Sequence, residues 1–283
     1  MSRRGPGRGG SDRHGADPAR ARLVVGRQPV RELLRSEQPV TEVLLAGGRE
    51  ASPVLDEIER LAAARGVRLR RLDVSGGSDA PGGSDGPGGS DAGGELERIA
   101  GGLVHQGVAA LAPTLPTVTP DALVDRAQAA GEPPLLVALD HVTDPHNLGS
   151  IARSAEAVGA HGLVLPERRA AGVTAAAEKA AAGAFAHLPL ATVANLNRAL
   201  AALGERGVWS LGLDGDADTE LADHPLVTEP CVLVVGAEGG GLSRLTRERC
   251  DALVRLAMRG RVGSLNASVA AGVALYELLR HRR

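Results

Sequence analysis

The chain has 283 residues, of which 43% are hydrophobic, and its mean hydropathy is close to zero. That is enough chain for two domains with buried cores. No run of 18 apolar residues offers a membrane span, and residues 1–22 hold no apolar leader segment, so a cytoplasmic protein that does not contact the membrane is expected. The formal net charge is −2, with 31 arginines beside one lysine, Lys179. Ala180 follows Lys179, which excludes a phosphate loop ending in Gly-Lys-Ser/Thr.

Residues 1–21 are rich in Gly, Arg and Asp and are expected to be a disordered tail. The tail holds a literal GxGxxG at Gly5, Gly7 and Gly10, but no strand precedes it and no helix follows, so it is a false dinucleotide motif. Residues 22–112 read as a small α/β domain. Its predicted elements are a strand at Leu23–Val25, a helix at Pro29–Arg35, a strand at Glu42–Leu45, a helix at Val54–Arg65, a strand at Val67–Leu72, a helix at Leu96–Ala100 and a strand at Val108–Leu111. Three tandem hexads, each opening Gly-Gly-Ser-Asp, interrupt it and make residues 76–94 a flexible insertion. The formal GxSxG at Gly82–Gly86 lies in this repeat, which cannot supply the strand-to-helix turn of a nucleophile elbow.

Pro113, Pro116 and Pro120 mark 113–134 as a linker, with a short helix running to Ala130. From residue 135 onward strands and helices alternate. Strands are predicted at Leu135–Leu139, Gly162–Leu165, Leu188–Ala191, Val208–Leu213, Cys231–Val235 and Leu253–Leu256. Helices are predicted at Leu148–Val158, Ala175–Ala182, Leu196–Glu205, Ser243–Arg249 and Ala267–Leu279. Apolar strands alternating with helices give a parallel sheet covered on both faces, and such sheets bind ligands at the carboxyl ends of their strands.

Three strings follow three of those strands. After Leu139 comes Asp144-Pro145-His146-Asn147-Leu148-Gly149, with Arg153 two turns into the helix. Asn147 has the position of a helix cap. Arg153 stands beside the apolar Ile151, Ala152 and Ala155, where an arginine serves an internal ion pair or holds an external carboxylate or phosphate. After Val235 comes Gly236-Ala237-Glu238-Gly239-Gly240-Gly241, a turn whose glycines let a ligand approach the backbone and whose Glu238 suits a helix start. After Leu256 comes Ser264-Leu265-Asn266-Ala267-Ser268-Val269-Ala270. Asn266 has the position of a cap, and the small residues that follow suit close helix–helix contact and hence a dimer. Other chemistries have little to stand on. Cys231 and Cys250 form no CxxC, so neither structural zinc nor a disulfide framework is expected, and no metal site is implied. Three aromatic residues are too few for the stacking platforms of RRM-like or OB-like RNA binders. Arginine clusters at 1–22, 244–261 and 280–283 can still hold phosphates, although solvated surface arginine is the plain alternative.

Together the three strings resemble the SpoU/TrmH family of SPOUT methyltransferases over residues 135–283. Residues 22–112, with Gly26-Arg27 and Val104-His105-Gln106-Gly107-Val108, look like the small ribosomal-protein-like substrate-binding domain of the 23S rRNA guanosine 2′-O-methyltransferases. Ala257 and Ala267 depart from the residues common in the family, proline and valine. The resemblance implies a parallel-sheet methyltransferase domain with a trefoil knot, and S-adenosylmethionine held there by backbone atoms of Gly236, Leu256 and Leu265. It implies methylation of a ribose 2′-hydroxyl in RNA, in the first instance a guanosine of 23S rRNA, by a homodimer in which Arg153 reaches the partner's site. Asn147, Glu238, Asn266 and Ser268 would orient Arg153, the ribose and the cofactor. The alternatives are tRNA or antibiotic-site rRNA as target, and a non-catalytic RNA-binding or ribosome-assembly factor of the same fold.

Overall fold

A computed structural model describes residues 21–47, 52–72, 94–168, 170–261 and 263–282. The expected disordered tail up to residue 20, with its GxGxxG, falls outside these residues, as do the three hexads and the rest of the 76–94 insertion apart from Gly94.

The first unit is a four-stranded sheet in the order β1-β4-β2-β3, formed by β1 (Arg22–Val25), β2 (Glu42–Ala46), β3 (Arg68–Leu72) and β4 (Val108–Ala112). β4 runs antiparallel to both β1 and β2, while β2 and β3 are parallel. Helices α1 (Arg27–Arg35) and α2 (Pro53–Ala64) bury Val30, Leu33, Leu34, Leu55 and Ile58 on one face. The short α3 (Glu95–Ala100) covers the other face with Leu96 and Ala100 against Val25 and Leu44.

The second unit is an eight-stranded sheet in which every neighbouring pair is parallel, ordered β10-β12-β9-β11-β6-β7-β8-β5. Its inner strands are β6 (Leu135–Leu139), β7 (Gly162–Pro166), β8 (Leu190–Val193), β9 (Trp209–Leu213), β11 (Cys231–Val235) and β12 (Ala252–Arg255). The two edges are β5 (Thr117–Val118) and β10 (Thr219–Glu220). Side chains alternate between faces, as strand geometry requires. In β6, Leu135, Val137 and Leu139 enter one core and Leu136 and Ala138 the other. The first core is roofed by α5 (Pro145–Ala157), α6 (Ala175–Ala181) and α9 (Ala267–His281). The second is roofed by α4 (Pro120–Ala129) and α7 (Leu196–Glu205).

Several boundaries differ from the sequence reading for local reasons. The proline-rich segment after residue 112 is more than a connector, because β5 pairs with β8 and α4 buries Leu123, Val124 and Ala127 on the larger sheet. Leu188 is drawn into a turn that closes on Ala184, so β8 begins two residues later than expected. Asp144 accepts the His146 N–H and starts α5 at Pro145, three residues before the predicted start. Asn147 is therefore not the cap. It sits inside the first turn with its side chain free for other work.

The two units meet along α6 and the short 3₁₀ turn Ala184–Ala186. Arg22 and Glu178 form an ion pair of 2.7 Å with both side chains buried. Gln38 donates to the carbonyl of Phe185 at 2.7 Å, and Lys179 donates to the carbonyl of Val104. A Cβ on Gly149 would lie 2.3 Å from the Ala177 carbonyl oxygen, so glycine lets α5 lie directly on α6.

Candidate active site

The chain leaves β6 toward β7 and β8 on one side, then returns to lay β11 against β6 from the other. The strand order thus reverses between β6 and β11, and the crevice beyond their carboxyl ends is where an open parallel sheet binds ligands. Leu139 and Val235 end the two strands in register. The Asn147 helix and the Glu238 loop therefore begin side by side.

Four predicted polar residues meet there. Asn147 is buried and donates through Nδ2 to Glu238 Oε2 at 3.0 Å. Asn266 donates through Nδ2 to Asn147 Oδ1 at 3.0 Å and to the same Glu238 oxygen at 3.2 Å. Asn266 also caps α9. Its Oδ1 accepts the Ser268 N–H at 2.9 Å, the Ser268 hydroxyl at 2.6 Å and the Val269 N–H at 3.4 Å. Capping and site duty are one arrangement, because three donors on the amide oxygen turn the amide nitrogen toward Asn147 and Glu238.

Arg153 stands apart from this cluster. It is exposed on α5, two turns beyond the helix start, and makes no hydrogen bond or ion pair among the described residues. Its neighbours Ile151, Ala152 and Ala155 are fully buried. An internal ion pair is thus not its role, and its guanidinium is available to something outside the described residues.

Gly236, Leu256 and Leu265 all line one cavity of about 340 Å³ at the same sheet edge, together with Glu238. The glycine loop closing this cavity folds for a reason the sequence reading missed. Ala237 and Gly241 exchange backbone hydrogen bonds of 3.0 and 2.9 Å, with Gly239 and Gly241 at φ of 73° and 61°. A Cβ on Gly236 would lie 2.1 Å from the Gly241 carbonyl carbon. Glycine at 236 therefore makes room for the loop itself.

Two further residues, Asp140 and Asp214, escaped sequence reasoning, and a third, Arg247, stood there only as one of the arginines of 244–261. Asp140, buried at the end of β6, accepts the Ser243 N–H at 2.7 Å and contacts His141 Nδ1 at 2.6 Å, so it fastens the far end of the glycine loop. Burial alone would push the Asp140 carboxyl up. Hydrogen bonds from Ser243, His141 and Thr246 outweigh burial and hold it below its ordinary value. Asp214, following β9, forms a 3.0 Å ion pair with Arg247 of α8 (Arg244–Arg249), and both line the cavity. The strand-end rule applied to Leu213 would have found Asp214. The arginine cluster 244–261 includes Arg247, but nothing local separates it from the other arginines there.

Known proteins agree with this architecture. The model of the SpoU rRNA Methylase family matches residues 134–276, and a model for RNA 2′-O ribose methyltransferase substrate binding matches residues 23–75. A Mycobacterium sp. (strain KMS) protein described as an uncharacterized tRNA/rRNA methyltransferase is 45% identical over 261 residues, spanning 92% of this chain and 77% of its own. The crystal structure of the SpoU methyltransferase AviRb from Streptomyces viridochromogenes superposes with a TM-score of 0.72 at 28% identity, covering 93% of this chain and 90% of that one. The same protein in complex with the cofactor AdoMet gives 0.71 at 27% identity, covering 95% and 93%. An AdoMet-bound rRNA methyltransferase from Sinorhizobium meliloti shares the fold, with a TM-score of 0.70 at 23% identity over 93% of this chain and 88% of that one. The crevice at the β6–β11 reversal, its polar cluster and these matches lead to one conclusion: the chain belongs to the SpoU rRNA methylase family and is an RNA methyltransferase.

Proposed function

We propose that the protein methylates a ribose 2′-hydroxyl in rRNA, a guanosine of 23S rRNA being the first target to examine, with S-adenosylmethionine as donor. The observation that carries this reading is the joining of Asn147, Asn266 and Ser268, through hydrogen bonds, to Glu238, which lines a cavity at the strand-order reversal. The cavity suits the cofactor. Its volume falls within the range of small-molecule sites, roughly 300–1,000 Å³. Leu256, Met258 and Leu265 offer apolar wall, and Asp214, Glu238 and Arg247 offer polar partners. Backbone atoms of Gly236, Leu256 and Leu265 would hold the bound molecule in loops that the family ties into a trefoil knot. When bound, S-adenosylmethionine supplies the methyl group from its sulfonium.

The chain's own residues orient the acceptor. The Asn147–Glu238–Asn266 cluster presents fixed amide and carboxylate groups beside the cavity, which favours a near-attack geometry. A guanidinium offers donors and no acceptor site, so Arg153 acts as an electrostatic partner of the developing alkoxide and the adjacent phosphate rather than as a base. It does so in a homodimer. Val269, Val273 and Tyr276 expose 50, 49 and 53% of their surfaces along α9, whose Gly272 lies against Ser154 of the Arg153 helix. A second copy covering that stripe would bring its own site to Arg153. Residues 22–112 form the substrate-binding unit, a reading supported by the match at 23–75. Among the described residues no helix is long and apolar enough to cross a membrane, and cytoplasmic rRNA is the substrate that we propose.

Calorimetric titration with S-adenosylmethionine or its demethylated product tests the cofactor, and mapping ribose methylation in rRNA from a deletion strain tests the target. No binding of either molecule at millimolar concentration would overturn the enzymatic reading in favour of a non-catalytic RNA-binding factor. A missing methyl group in tRNA instead of rRNA would move the target.

A further inference from the structure

We infer that Arg247, held in place by Asp214, binds the carboxylate of the cofactor's amino-acid arm; the inference rests on the cofactor reading above. Among the described residues lining the cavity, Arg247 is the only cation, whereas Asp214, Asp216 and Glu238 are acids. A carboxylate entering a cavity with three acids needs a cation to replace its lost water and offset the repulsion. Two of those acids are already engaged. Glu238 accepts from Asn147 and Asn266, and Asp214 pairs with Arg247 at 3.0 Å while accepting the Asp216 N–H at 2.9 Å.

The pair is asymmetric. The Asp214 side chain is 10% exposed and that of Arg247 is 42% exposed. Asp214 is thus a fixed anchor at the end of β9, and Arg247 is a tethered arm with open donors. The ion pair is made through Nη1. A guanidinium carries five N–H donors in a rigid fork, so those remaining can meet a second carboxylate with little further loss of freedom. Asp214 therefore has a positioning role. Without it Arg247 would still be charged but would no longer be directed.

Two ligands separate this role from general pocket damage. S-adenosylhomocysteine carries the amino-acid arm, whereas 5′-methylthioadenosine keeps the adenine, ribose and sulfur but lacks that arm. Isothermal titration of Arg247→Ala should show S-adenosylhomocysteine weakened about 10- to 100-fold, the range of a lost charge-assisted hydrogen bond. Binding of 5′-methylthioadenosine should be unchanged, which also certifies that the variant pocket is folded. Asp214→Asn should weaken S-adenosylhomocysteine by a smaller factor, again sparing 5′-methylthioadenosine. Equal weakening of both ligands, or no weakening of S-adenosylhomocysteine, would overturn the assignment of Arg247. If the unaltered protein binds neither ligand, the cofactor reading itself falls.

Discussion

Asn147 and Glu238, 91 residues apart in sequence, are joined by a 3.0 Å hydrogen bond that Asn266 completes into a triangle. Each group in the triangle orients another, so the three should act as a unit. Glu238→Ala leaves two amide donors without their acceptor. We expect a fall of roughly 100-fold or more in single-turnover methylation, of the kind seen when a positioned polar group is removed. The Asn147→Ala/Glu238→Ala pair should be far less than additive, because either single change already dissolves the geometry. Additive losses in a double-mutant cycle would mean that the two residues work independently.

The glycines of the loop differ sharply in what they tolerate. Gly236→Ala would force a Cβ to 2.1 Å from the Gly241 carbonyl carbon, whereas a Cβ on Gly240 meets nothing within 4 Å. Gly236→Ala should open the loop, abolish measurable cofactor binding and lower the melting temperature. Gly240 lines the same cavity but has open space at its Cβ position, so Gly240→Ala should keep the loop closed and lose far less cofactor affinity than Gly236→Ala. Parallel titrations of both variants check this, and equal effects would contradict the contact geometry.

Most of the site was legible because its polar residues are concentrated in three strings at the carboxyl edge of one parallel sheet. Strand periodicity located that edge, and resemblance named the strings. The same reading misassigned Asn147, because both Asp144 and Asn147 are good caps and only the backbone path decides that Asp144 accepts the His146 N–H. It did not find why Gly236 must be glycine, because composition shows that close approach is needed without showing that the loop's own Gly241 approaches it. β5 and β10, with two residues each, are too short to carry a period. The docking of the two units rests on Arg22, Gln38 and Glu178, which are distant in sequence and unremarkable where they stand.

Arg153 makes no bond among the described residues, so removing it should not disturb the fold. Arg153→Ala should keep its melting temperature and most of its RNA affinity, because ground-state phosphate contacts are shared among many arginines. The methylation rate at saturating RNA should fall by roughly 10²–10³, since alkoxide stabilisation is not shared. Filter binding beside single-turnover methylation separates the two. In mixed dimers of Arg153→Ala with Asn266→Ala, partial recovery of activity would place the two residues in different subunits' contributions to one site. A defect confined to RNA binding would make Arg153 a phosphate clamp.

Asp140 gives the site a pH dependence of known sign. Its folded carboxyl lies below its ordinary value, since hydrogen bonds from Ser243, His141 and Thr246 outweigh the opposing effect of burial. The stabilisation is fully present above the unfolded carboxylate value, about 4, and is lost as pH falls from there through the lower folded value. Asp140→Asn should therefore be less stable than the unaltered protein at pH 7, and the gap should narrow as pH falls below about 4. Thermal melts of both proteins across that range read the gap directly. A gap that stays constant would mean that the carboxylate charge contributes nothing.

The buried pair of Arg22 and Glu178 holds the small unit against α6, and α6 in turn lies on the helix that carries Asn147. Burial lowers the Arg22 value and raises that of Glu178, each opposed by the partner's charge, so each charge depends on the other for its place in the interior. Removing Arg22 leaves Glu178 buried without its cation, and removing Glu178 leaves Arg22 with only the neutral Gln38 amide oxygen; loss of one partner costs about 3–5 kcal/mol in comparable buried pairs. Arg22→Met and Glu178→Leu should each destabilise strongly. Combined, they replace two opposed charges by apolar groups and should recover much of that loss. Denaturant melts of the four proteins supply the cycle. Limited proteolysis between residues 112 and 120 reports separation of the units. If the single variants separate the units and the double variant rejoins them while methylation follows the same order, the docking keeps the Asn147 helix in place. If the double variant rejoins the units but methylation stays low, the charges themselves matter to RNA.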